Sequence, residues 1–158
     1  MAREPKIDVV DLIRANFTNP NTSLSGSEGV FPDYPRLDLK YNSYPRVSVI
    51  DVDSKSEWAG VGSNTQVITW TGQVAIWVKE ALETDQFWTI GGTPYGDEKL
   101  LDYLKQQIQD ILQNQWKSLP SAYKNCLKVS AGEQLFDIDR QAFFKPIQIT
   151  LVYLEQEA

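Results

Sequence analysis

TQVITWTGQVAIWVK, from Thr65 to Lys79, alternates like a β-strand for about twice the usual strand length. One face of the predicted strand is apolar and carries Ile68, Trp70, Gly72, Val74, Ile76 and Val78. The other face carries Thr69, Thr71, Gln73 and Trp77, so one side should pack on a core and the other should meet water or a partner. Because the alternation keeps its phase across Gly72, we expect a bend there rather than an inserted residue.

The segments before this strand predict a helix, a long loop and a hairpin. Ile7 to Phe17 has helical spacing, with Pro5 suited to the first turn and Asn19-Pro20 ending the run. Residues 19–44 are rich in Ser, Gly, Asn and Pro and predict a long irregular loop. Arg46 to Asp53 reads as a strand, and Ser54 to Asn64 reads as its connection to the long strand. The two strands should pair as an antiparallel hairpin.

The segments after the long strand predict one main helix and further strands. Residues 81–95 break the pattern and are interpreted as an insertion, ending in a Thr93-Pro94 helix start. The helix that follows ends before Pro120, and its apolar stripe consists of Leu100, Leu101, Leu104, Ile108, Ile111, Leu112 and Trp116. Short strands are expected at Cys126 to Ser130, near Leu135 to Ile138 and at Ile147 to Leu154.

Together these elements predict one α+β domain over residues 1–158. Its antiparallel sheet, which could be mixed, contains the long hairpin and is packed on one face by the long amphipathic helix and the short N-terminal helix. A chain of 158 residues is long enough to bury an ordinary core without a metal or a disulfide.

Composition argues against several classes of function. The chain has 15 Lys and Arg against 21 Asp and Glu, and no basic run that would neutralise a nucleic-acid backbone. It has no histidine, the commonest general base and transition-metal ligand. Cys126 is the single cysteine and is interpreted as a small buried apolar residue. With no apolar run of membrane-spanning length, we expect a soluble protein of a reducing compartment that needs no cofactor.

Some motifs could carry chemistry, and each has a plainer interpretation. Three carboxylate pairs, Asp51/Asp53, Asp137/Asp139 and Glu155/Glu157, have the spacing that places both groups on one face of a strand. Such a pair could bind a cation or serve an enzyme, but it equally describes a solvated strand face. Gly91-Gly92 could cradle a phosphate, although without a following Lys-Ser/Thr a flexible hinge is the better interpretation.

Large aromatic residues give a different signal. Trp77 lies on the more polar face of the long strand, and Trp58, Phe87 and Trp88 fall in or beside connections. Exposed rings that form a patch mark interfaces, so these four residues are candidate subunit or partner contacts. The alternative is that they fold back over their own subunit.

The order of elements, with YPRVSVIDV at residues 44–52, VAIWVK at 74–79 and IQITLVYL at 147–154, resembles the tail-terminator (tail-completion) proteins of tailed bacteriophages. The resemblance implies a non-enzymatic virion protein, made in the host cytoplasm, that forms a ring, usually hexameric, at the head-proximal end of the tail. Such a ring caps the tail tube, stops its elongation and offers a docking surface to the neck or connector, and to the sheath where there is one. DNA would pass through it without specific binding.

Besides a soluble monomeric adaptor, two other functions stay open at this point. A neck or head-completion protein that joins head to tail has the same general design. A small cation-dependent enzyme would use one of the carboxylate pairs.

Overall fold

A mixed β-sheet with helices on one face forms the centre of the protein. The computed structural model describes residues 4–24, 26–60, 62, 64–83, 86–120 and 122–156. In chain order its elements are α1 (Pro5–Asn16), α2 (Gly26–Gly29), β1 (Val30–Phe31), β2 (Arg46–Trp58), β3 (Thr65–Lys79), β4 (Trp88–Ile90), β5 (Thr93–Tyr95), α3 (Asp97–Gln115), β6 (Tyr123–Ala131), β7 (Leu135–Asp137) and β8 (Ala142–Gln156). Two 3-10 helices, Tyr41–Ser43 and Trp116–Ser118, are also present.

The main sheet has the strand order β1-β2-β3-β8-β6. The short strand β7 pairs with β8 beyond the end of β6. All pairs in this sheet are antiparallel except β1 with β2, which makes the sheet mixed. The predicted α+β fold is therefore confirmed.

The long hairpin forms as predicted but extends further than the sequence indicated. β2 pairs with β3 from Arg46 opposite Trp77 to Trp58 opposite Gln66. The prediction that Ser54 begins the connection is wrong, because β2 continues five residues past Asp53, to Trp58. Serine, lysine and glutamate do not favour strands, but backbone pairing with the long β3 overrides that local preference.

An inserted residue lies in β2 and not in β3. Asp51 is opposite Gly72 and Asp53 is opposite Thr71, so Val52 is extra and forms a bulge. β3 itself pairs with β8 without a register shift, as its unbroken alternation predicted. Gly72 is required for another reason: a Cβ atom there would lie 2.1 Å from Cη2 of Trp70, whose indole covers the glycine.

The main core lies between the sheet and the helices α1 and α3. The predicted stripe of α3 is confirmed, since all of its leucines and isoleucines are buried and Trp116 packs against the core at its margin. α1 starts at Pro5, as predicted, and buries Val9, Val10, Leu12 and Ile13 in the same core. Trp70 joins them from the apolar face of β3.

The start of α3 differs from the prediction. Gly96 is the N-cap residue, whereas Thr93 and Pro94 belong to β5 and pair with β4. Gly91 and Gly92 form the two-residue turn between these strands, with φ of 57° and 83°. The glycine pair is therefore neither the flexible hinge nor the phosphate cradle that the sequence suggested. It forms a tight hairpin turn that needs positive φ at both positions.

The predicted loop of residues 19–44 is irregular over most of its length but contains α2, β1 and the first 3-10 helix. The buried Asn21 side chain holds it against the start of β2, donating to the carbonyls of Asn42 at 2.7 Å and Tyr44 at 2.8 Å. Asn19 donates to the carbonyl of Pro45 at 2.9 Å. Side-chain amides thus add to the short pairing of β1 with β2 in restraining this segment.

β8 begins five residues earlier than predicted, at Ala142. Pro146 is an unfavourable residue within a strand, because proline cannot donate to a ladder. It is tolerated because it lies opposite the gap between two partner strands. Ile147 of β8 pairs with the end of β6, Phe144 pairs with the start of β7, and Pro146 lies between these two residues.

Candidate interaction surface

The four aromatic residues proposed as contacts lie in different environments. Trp58 ends β2 and is 54% exposed, and Phe87 precedes β4 and is 46% exposed. Trp88 is half-buried, and Trp77 is 1% exposed. The structure does not bring the four into one patch of exposed rings, and only Trp58 and Phe87 remain available to a partner.

Trp77 is buried within its own subunit, so its prediction as an interface residue is wrong. It belongs to a second, smaller core on the face of the sheet that carries no helix, with Tyr44, Ala75 and Ala142. Its ring stacks on Phe144 at 4.3 Å between centroids, and its indole N–H donates to Ser48 Oγ at 2.9 Å. The sequence suggested a wet face there because periodicity cannot show that a distant loop returns to cover it.

Arg140 fastens the covering loop, which contains Tyr34 and Pro35, to the sheet. Its Nε donates to the carbonyl of Pro35 at 2.7 Å, and its guanidinium lies 5.4 Å from the ring centroid of Trp77 and 5.8 Å from that of Tyr34. Asp137 accepts from the same guanidinium at 2.8 Å. Partial burial alone would raise the pKa of Asp137, but hydrogen bonds from the backbone and side chain of Arg140 lower it overall.

Trp88 also packs inward, as the alternative interpretation allowed. Its ring stacks on Tyr41 at 5.6 Å with an interplanar angle of 4°, and it contacts the main core. Its indole N–H is buried with no hydrogen-bond partner among the described atoms. Burial, with a smaller contribution from Asp97, raises the pKa of Tyr41 to about 12. Trp88 therefore anchors the β4–β5 hairpin rather than presenting a free ring.

The two carboxylate pairs that the structure describes in full do not form the arrangement that their spacing suggested. The bulge at Val52 places Asp51 and Asp53 opposite successive residues of β3, hence on opposite faces of the sheet. Asp51 accepts from Trp70 Nε1 at 2.7 Å and lies 3.6 Å from Lys6 Nζ.

The Asp137/Asp139 pair gives no shared strand face either, and the Glu155/Glu157 pair cannot be placed from the described residues. Asp137 ends β7 and is held by Arg140, whereas Asp139 lies in the turn that follows. Glu157 lies outside the described residues. Among the residues that the structure describes, no group of three or more His, Cys, Asp or Glu side chains could hold a metal ion.

Cys126 is half-buried beside the main core, whereas the sequence predicted a buried residue. Its strand β6 lies at the margin of the sheet, so one side of the residue stays accessible. Burial on the other side raises the pKa of its thiol.

The outer segment of β2 (Asp51–Trp58) is the most accessible part of the sheet. β1 pairs with β2 at only two residues, Val47 and Ser48, and every residue of the outer segment is exposed. Beside it, a groove of about 720 Å³ separates the outer segment from the first turn of α1. Within the described ranges no strand of this chain pairs with the outer side of this segment.

The opposite edge of the sheet is formed by β6, whose outer side also has no strand partner in the described part of the chain. Lys124, Leu127 and Lys128 are exposed along it. Sequence reasoning selected Trp58 at the end of the outer segment but identified neither edge as a whole as a site. One signal was present: the stretch from Trp116 to Gly132 contains three lysines and no acidic residue in a chain of net charge −6.

No protein-family model matches this chain, and no curated protein gives a significant match to it. No helix in the described ranges combines the length and hydropathy that crossing a bilayer requires.

Proposed function

We propose that this chain is a non-enzymatic virion protein that assembles into a ring, as a hexamer, and caps the tail tube of a tailed bacteriophage. One observation carries the proposal: eight consecutive residues at the end of β2 are exposed, and they form an edge that no other described strand covers. The order of elements, with a long hairpin, one long helix across the sheet and a closing strand, agrees with the resemblance.

An open strand edge supports assembly for a physical reason. Its backbone N–H and C=O groups are a template for another strand, and monomeric proteins usually shorten or cover such edges. Here the exposed segment is as long as a typical complete strand. Contact between two different surfaces of identical subunits generates a closed ring when the rotation closes.

The ring would lie at the head-proximal end of the tail, stop elongation of the tube and dock the neck or connector and the sheath where there is one. The net charge of −6 supports a lumen that DNA crosses without binding, because like charges repel. Assembly would take place in the host cytoplasm.

Native mass spectrometry and negative-stain microscopy of the purified chain, alone and mixed with tail tubes assembled from the tube protein of the same genome, test the proposal. We expect a species of six subunits and rings on one end of the tubes. A chain that stays monomeric at all concentrations and never binds tube ends would overturn it.

Depletion of the protein in an infected host tests the position in the virion. Loss of a tail terminator should give tubes of uncontrolled length. Tails of normal length beside unjoined heads would reject the terminator function and indicate a neck or head-completion protein instead.

A further inference from the structure

We infer that the contact between neighbouring subunits is strand pairing between the outer segment of β2 in one copy and β6 in the next. The inference rests on the proposed self-assembly and names the two surfaces that would meet. They are the two opposite edges of one sheet, in the order β1-β2-β3-β8-β6. Pairing them joins the sheets of successive copies head to tail.

The two edges carry opposite charge. The outer segment of β2 contains Asp51, Asp53 and Glu57 against the single Lys55. Asp51 is engaged by Trp70 and Lys6, and Asp53, Lys55 and Glu57 share the face of the sheet away from the helices. Across the gap between copies, this acidic edge would meet an edge that contains lysines and no carboxylate.

Charge also selects this pairing over pairing of like edges. Two β2 edges brought together would place carboxylates against carboxylates, and two β6 edges would place lysines against lysines. Like charges directly opposite each other on neighbouring strands are destabilising. A two-fold dimer through either edge is thus disfavoured, whereas pairing β2 with β6 is favoured.

Length and apolar surface fit the same pairing. The outer segment has eight residues and β6 has nine, so each edge is about 25 to 30 Å long at roughly 3.3 Å per residue. Each edge exposes one large aliphatic side chain: Val52 is 49% exposed and Leu127 is 57% exposed. Burying these side chains against a partner would add apolar contact to the backbone hydrogen bonds.

β6 has features that restrict which strand it accepts. Its register against β8 shifts between Tyr123 and Asn125 and again between Cys126 and Lys128, and two lysines lie on it. Bulges and lysines are the devices by which natural sheets prevent pairing with arbitrary strands. An acidic partner strand would be attracted by the two lysines, whereas a neutral or basic strand would not. The contact is therefore selective for an acidic edge.

The charges suggest a swap experiment with two double variants. Variant one is Asp53→Lys/Glu57→Lys, and variant two is Lys124→Glu/Lys128→Glu. In each variant alone, both edges of every copy carry the same sign, so we expect assembly to weaken about tenfold or more, measured as the concentration at half-assembly by analytical ultracentrifugation. Lys99→Glu, an exposed change on α3, is the control and should assemble like the wild type.

Restoration is the decisive measurement. A one-to-one mixture of the two variants, and a chain that carries all four substitutions, place opposite charges across every contact again. Both should return to within about threefold of the wild-type assembly concentration. Circular dichroism should show that each variant is still folded and melts cooperatively, because the substituted side chains are exposed.

The outcomes separate the inference from the proposed function. If the wild type forms rings and both double variants form them equally well, the pairing of β2 with β6 is wrong and the proposed function stands. If the variants fail but neither the mixture nor the four-fold chain recovers, the pairing is also wrong. If the wild type never assembles, with or without tubes, the proposed function itself fails.

Discussion

The two segments of β2 pair with the same neighbouring strand but differ in what covers them. The inner segment (Arg46–Ile50) has β1 on its outer side, the helices on one face and the Arg140-fastened loop on the other, and its central three residues are buried. The outer segment has β3 beside it and every one of its residues exposed. Both segments pair with β3, so their difference in burial comes from the packing around the strand. The buried inner segment contributes to folding, and the exposed outer segment is left for the proposed assembly.

The substitution with the largest expected effect is Gly72→Ala, at the position of β3 opposite the boundary between the two segments. The new Cβ would overlap the buried Trp70 ring, and the ring would have to leave its place against the core and its bond to Asp51. We expect a loss of about 3 kcal/mol in the free energy of unfolding, measured by urea denaturation. Gly60→Ala, which meets no atom within 4 Å, is the control. Equal stability of the two variants would show that Trp70 is not packed as described.

Val49→Ala and Val52→Ala compare the segments directly, with the same atoms removed three residues apart. Val49 is fully buried, so its truncation should cost about 2 kcal/mol of unfolding free energy through lost burial and a cavity. Val52→Ala should change stability by about 0.5 kcal/mol or less. Similar losses for both would contradict the contrast between the segments.

Ser48→Ala tests the second core on the face without helices. It leaves the buried Trp77 indole N–H without its acceptor and should cost about 1 to 2 kcal/mol of unfolding free energy. Ser54→Ala, an exposed change in the same strand, should be nearly neutral. A neutral Ser48→Ala would mean that the hydrogen bond contributes nothing to the packing of Trp77.

Asp137→Asn should cost about 1 kcal/mol or less, less than Gly72→Ala or Val49→Ala, because the ion pair with Arg140 is only partly buried. The pKa of Asp137 is lowered in the folded state, so its stabilisation is present above about pH 4 and is lost as the pH falls through the folded-state value. Thermal melts between pH 7 and pH 2 should therefore show a gap between wild type and variant that closes in acid.

Asp139→Asn is the control for that measurement, since Asp139 is exposed in the neighbouring turn. A gap between wild type and Asp137→Asn that persists unchanged to pH 2 would show that the carboxylate does not hold Arg140 over Trp77.

Much of the fold could be predicted because it depends on periodicity. The alternation of β3 and the three-and-four spacing along α3 are local patterns, and burial of one face follows from either of them. The proposed function rests on the order of these elements, which is also a property of the sequence, and on the exposed edge of β2, and it stays a prediction until assembly is measured.

What could not be predicted depends on contacts between distant segments. The extra residue Val52 moves Asp53 to the other face of β2, and no local pattern distinguishes that bulge from continued alternation. Trp77 was expected to face a partner because the loop that buries it lies more than 30 residues earlier in the chain.

The sequence by itself determined the α+β class, the long hairpin, the two core-forming helices and the acidic composition, because each follows from the residue types and their spacing. Only the tertiary structure decided which side chains are buried and which are exposed. It buried Trp77, divided the Asp51/Asp53 pair between two faces and left the acidic edge of β2 and the lysine-bearing edge of β6 at opposite margins of the sheet. The physical reason is that accessibility is a property of neighbours in space, and the loop and strands that provide or withhold cover come from remote parts of the chain.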